Sequence, residues 1–77
     1  MPFRITAHAR QRMRRRHISE SVVREVYEEP HDRYEDAPEH GPDREVRWRA
    51  YDGQIVEIVV DLTDGSVVSA WITRVGR

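Results

Sequence analysis

Residues 45–74 read EVRWRAYDGQIVEIVVDLTDGSVVSAWITR, three runs rich in Val, Ile and Trp separated by Asp52-Gly53 and Asp64-Gly65. Asp-Gly between such runs is a strong short-range hairpin signal, because glycine takes positive φ without steric penalty. The spacing predicts strands over about 45–51, 54–62 and 66–74, joined as an antiparallel meander. Two-residue turns would pair Tyr51 with Gln54 and Thr63 with Ser66, which assigns every side chain to a face. One face then carries Val46, Trp48, Ala50, Ile55, Val59, Val68, Ala70 and Ile72 and is expected to meet the helices, with Trp48 in the core. Glu57 falls on that face as an edge residue or a partner of Arg74. The other face carries Arg47, Arg49 and Tyr51 beside Val56, Ile58, Val60, Ser69, Trp71 and Thr73. An apolar floor of that size does not stand bare, so the acidic segment before it, a second protein or a nucleotide is expected to cover it.

Toward the N-terminus, Thr6 is a good helix cap, and residues 7–17 contain no Gly, Pro or β-branched residue, which predicts a first helix there. Ala9 and Met13 make a thin apolar face, while His8, Arg12 and Arg16 repeat every four residues and share a second one. Ser19 caps a second helix over about 20–29, where Val22, Val23, Val26 and Tyr27 recur with helical period until Pro30 stops it. Residues 30–44 are acidic and broken by Pro38, Gly41 and Pro42, which predicts a loop with a short edge strand near 33–35. The expectation is an α+β domain spanning 1–77, with two N-terminal helices packed on a three- to four-stranded antiparallel sheet.

Seventy-seven residues can build one core only, since a domain of this size buries only about 60% of its unfolded surface. With 38% hydrophobic residues the chain is not disordered, and without cysteine it has no disulfide framework, thiolate nucleophile or thiolate zinc site. His8, His17, His31 and His40 lack the paired spacing of a metal helix or loop, so no cofactor is expected. No apolar run approaches the roughly 18 residues of a membrane span, which makes cytoplasmic the expected location. The net charge of -1 hides an asymmetry: residues 1–17 hold six Arg and no acid, whereas 18–45 hold ten acids against three Arg. All thirteen basic residues are Arg, the better bidentate partner for phosphate or carboxylate.

The stretch from His8 to Glu20, His-Ala-Arg-Gln-Arg-Met-Arg-Arg-Arg-His-Ile-Ser-Glu, followed by a second helix, a Pro and a meander, resembles a small bacterial domain family with the pattern His-x-x-x-Arg-apolar-x-x-Arg-Gly-Ile-Ser. That family is similar in turn to the RelE/BrnT toxin nucleases within the barnase/EndoU/RelE-like ribonucleases. His17 departs from it, standing where the pattern has a helix-ending Gly. The resemblance implies a metal-independent ribonuclease of the toxin type, in which a ribose 2′-hydroxyl attacks the adjacent phosphate. Its implied partners are RNA, ribosome-bound mRNA included, and a cognate antitoxin protein.

Such chemistry needs a base, fixed cations and an acid for the leaving oxygen. His8, Arg12 and Arg16 match the motif, and Arg49 and Thr73 complete the expected catalytic set. Arg15, Arg47 and Trp71 are expected to bind RNA, the last by stacking on a base. Two simpler readings stand beside these. Arg14, Arg15 and Arg16 in the last turn complement the helix dipole, and His8 is within reach of Glu25, Glu28 or Glu29 if the helices run antiparallel. The alternative function is a non-catalytic RNA- or protein-binding module using the arginine-rich helix.

Overall fold

A computed structural model describes residues 3–37, 39, 41 and 43–75. Its elements run β1 (Arg4–Ile5), α1 (Ala7–Arg16), α2 (Glu20–Glu28), β2 (Asp32–Glu35), β3 (Arg44–Tyr51), β4 (Gln54–Asp61) and β5 (Ser66–Arg74). The class is α+β, with two helices as expected. The sheet differs: it has five strands in the order β1-β5-β4-β3-β2. β1 pairs parallel to β5 through Arg4 with Ser66 and Ile5 with Val67, so the sheet is mixed. The short edge strand expected near 33–35 within the acidic segment is present as β2, antiparallel to β3.

The helix ends follow from local chemistry. Thr6 Oγ1 accepts from the Ala9 amide at 3.1 Å, and Ser19 Oγ accepts from the Val22 amide at 3.2 Å. Each satisfies one of the amides a helix start leaves unpaired. At the far end of α1, His17 adopts the left-handed conformation at φ 56 and ψ 44. Its amide donates to Arg14 O, and the Ile18 amide donates to Met13 O at 2.9 Å. This is a Schellman closure, with Ile18 and Met13 both buried in the core as that motif favours.

Both helices pack on one face of the sheet. The core joins Ala9, Met13, Val23 and Val26 to Val56, Ile58, Val60, Val67 and Ala70, with Tyr51 and Ile72 against it. Val23, Val26 and Ile58 are fully buried, and each contributes roughly 1.5–3 kcal/mol relative to an exposed position.

The face assignments expected from the sequence are therefore inverted for β3 and β4. Residues 47, 49, 51, 56, 58 and 60 look toward the helices, while Trp48, Ile55 and Glu57 lie on the open face. Trp48 is half-buried there and not a core residue. Glu57 is not an Arg74 partner either: Arg74 lies opposite Gln54, and Glu57 accepts from Tyr34 Oη at 2.9 Å.

The physical cause lies just past the second turn, which itself moves the register by two residues and so leaves the faces unchanged. Tyr51 does pair with Gln54, but Ser66 pairs with Asp61 and not with Thr63, so the turn holds four residues. Asp61 accepts from both the amide and the hydroxyl of Thr63, and Asp64 does the same for Ser66. These bonds hold both carboxyls below their ordinary range. The register then shifts between Val59 and Val60, where Val60 pairs with Val67 but Val59 pairs with Ser69. Val68 is the extra residue, and a one-residue offset exchanges the faces of all that follows.

Candidate nucleic-acid interface

The open face of the sheet carries a groove of about 720 Å³ lined by Thr6, His8, Arg12, Asp36, Arg44, Val59, Val68, Ser69 and Trp71. That volume suits a nucleotide-sized ligand. α1 packs along β5, and its His8 and Arg12 reach this groove from the flank. Arg16, one turn further on, donates from Nη1 to Ala70 O at 2.7 Å and so covers the edge of β5 beyond the two residues that β1 occupies.

His8 and Arg12 are in contact: Arg12 Nε donates to His8 Nε2 at 2.8 Å. The helix-to-helix bond expected as one alternative for His8 is not made. Glu25 instead accepts from Tyr51 Oη at 2.6 Å, and Glu28 pairs with Arg24 at 3.2 Å.

Arg44 enters the same groove from the start of β3, a residue the sequence reading did not single out. Gly41 makes room for it. Its φ is 127, and a Cβ there would stand 3.2 Å from Arg44 Nε. The Asp36 amide donates to Arg44 O at 3.0 Å, and both residues line the groove. A cation two residues before Val46 and four before Trp48 shares their face by strand period, and that was the signal available in the sequence.

Arg47 and Arg49 are not part of this groove. They lie on the helix side of β3, where Arg47 Nη1 donates to Tyr27 O at 2.8 Å and Arg49 Nη1 donates to Glu29 O at 2.6 Å. The last turn of α2 contains no basic residue of its own, so β3 supplies the cations its carbonyl end favours. Arg47 also stacks 4.7 Å above the Tyr27 ring and bonds Glu45 at 2.6 Å. Thr73 is exposed, opposite Ile55 on the open face but outside the groove lining. Arg15 is exposed in the last turn of α1. Arg16 borders a smaller hollow of about 410 Å³ with Trp71, Ile72 and Arg74, adjoining the first through Trp71.

The structure thus gathers His8, Arg12 and Trp71 with Arg44 and Ser69, places Arg16 alongside, and separates Arg47 and Arg49 on the opposite face. Among the described residues no three His, Asp or Glu side chains gather closely enough to hold a metal ion. Among the same residues no helix is long and apolar enough to cross a membrane.

Comparison with known proteins gives one match. A family model described as "Domain of unknown function (DUF4258)" covers residues 5–75. No curated protein and no solved structure matches the chain.

Proposed function

Since the chain belongs to the DUF4258 family, whose description assigns no activity, we propose its function from the groove: it binds single-stranded RNA on the open sheet face and cleaves it there. The observation that carries this reading is the meeting of one imidazole, two guanidiniums and an indole in a single cleft, at His8, Arg12, Arg44 and Trp71. Arg12 and Arg44 would hold the phosphate and offset charge on the phosphorane, while Trp71 stacks a base. Drawn toward phosphate, Arg12 releases His8 Nε2, which then accepts the 2′-hydroxyl proton. The 2′-oxygen bonds to phosphorus, the 5′-oxygen leaves, and the imidazolium returns the proton to it. Arg47 and Arg49 have no part in this scheme. An antitoxin-like protein that covers the same basic groove fits the reading as its regulator.

A second reading, a binding module without catalysis, is favoured by the occupied Nε2 and by the presence of a single imidazole in the groove. The two separate on labelled single-stranded RNA and its 2′-deoxy counterpart, incubated with and without EDTA. Catalysis predicts a cyclic phosphate product from RNA alone, insensitive to EDTA and reduced at least about 100-fold by His8→Ala, with binding retained. Binding without cleavage in the native protein leaves the module; no binding removes both.

A further inference from the structure

The pairing register places Trp48, Glu57 and Trp71 opposite one another on β3, β4 and β5, so the three side chains form one row across the open face. Neighbouring strands lie about 4.8 Å apart, which sets a carboxylate midway between two indoles about 10 Å from each other. Glu57 is half-buried, and its partner among the described residues is Tyr34, whose hydroxyl donates to Oε1. Tyr34, Trp48, Ile55 and Glu57 line a hollow of about 200 Å³. Burial first, and the Glu57 carboxylate second, push the Tyr34 hydroxyl above its ordinary value, so it remains a donor and leaves Oε2 open.

A carboxylate on this face is a poor neighbour for a phosphate. It suits the edge of a base whose adjacent groups are both donors. Of the four RNA bases, guanine alone presents two such neighbours, N1–H and the 2-amino group; the others set an acceptor beside each donor, which a carboxylate repels. Resting on the RNA reading of this face, we infer that the Trp48–Glu57–Trp71 row is a guanine-reading subsite, with Glu57 as the specificity-determining residue. The base stacks on the indoles while its phosphate lies at His8, Arg12 and Arg44; Trp71 lines that groove and so joins the two.

Both indoles flank the subsite, so quenching of intrinsic tryptophan fluorescence by ribonucleoside 3′-monophosphates reads it directly, without requiring cleavage. Guanosine 3′-monophosphate is expected to bind at least about tenfold more tightly than its adenosine, cytidine and uridine counterparts, with inosine, lacking the 2-amino group, in between. Glu57→Gln should abolish that preference, weakening guanosine 3′-monophosphate and easing the repulsion that holds the other three back. Equal affinity for all four in the native protein overturns the inference, as does an unaltered preference in Glu57→Gln; if that variant does not fold, the native series decides alone. Quenching by free arginine but not by guanosine would assign the row to a cationic partner and overturn it too. RNA binding that depends on Arg12 but ignores base identity defeats the subsite only, whereas loss of all nucleotide and RNA binding defeats the groove with it.

Discussion

Arg47 illustrates how far a side chain's role depends on which face it takes. From sequence it is one of a basic pair on a strand; in the fold it bridges Tyr27 O, the Tyr27 ring and Glu45, with its side chain only 15% exposed. A charge-assisted hydrogen bond in such a place contributes about 1.5–3 kcal/mol. Arg47→Ala is therefore expected to lower stability by about 2 kcal/mol, seen as a fall of about 10 °C in Tm, with RNA affinity per folded molecule unchanged. A loss of affinity without destabilisation would return Arg47 to the binding surface. Tyr51 offers a pH signature on the same side of the sheet. Burial, then the bond to Glu25, push its hydroxyl up to about 12 from an ordinary 10.0. The native state thus holds this proton more tightly than the unfolded chain, so the stability it brings is complete below pH 10 and lost as pH climbs from 10 to 12. Melting curves of Tyr51→Phe should decline less steeply over that interval than those of the native protein.

At the scale of elements, His17 is the position where sequence and geometry agree most closely on a cost. The resemblance put Gly here, and the residue does take φ 56. Holding a side chain in that conformation costs about 1–2 kcal/mol, part of which glycine's extra unfolded freedom offsets. His17→Gly should raise stability by about 0.5–1 kcal/mol, measurable by denaturant titration. Helices were legible because their signals are local: Thr6 and Ser19 at the starts, Pro30 at the stop. Strand positions were legible for the same reason, through Asp-Gly pairs and β-branched runs. The faces were not, because the Val68 bulge inserts one residue whose effect appears only on pairing. β1 was beyond reach, since two residues carry no alternation to detect.

Across the whole molecule, the arginines of the sheet's two sides serve different ends. On the helix side Arg47 and Arg49 bind carbonyls at the end of α2, and on the open side Arg44 lines the groove. His8 and Arg12 were readable as partners because four residues along a helix fix their distance. Arg44 and Asp36 were not, because the β2–β3 connection brings them to α1 from far along the chain. If the groove binds phosphate, affinity for single-stranded RNA falls with salt, and Arg12→Ala should reduce the slope of log K against log salt by about 0.7. An unchanged slope would place the phosphate elsewhere. Both helices and nearly all fully buried side chains sit on a single side of the sheet. Positions 48, 55, 57, 69, 71 and 73 on the other side consequently lie outside the core cluster, and a library diversified at all six should still yield mostly folded, soluble variants. The domain is in that sense a ready scaffold, whose ligand can be reprogrammed without redesigning what keeps it standing.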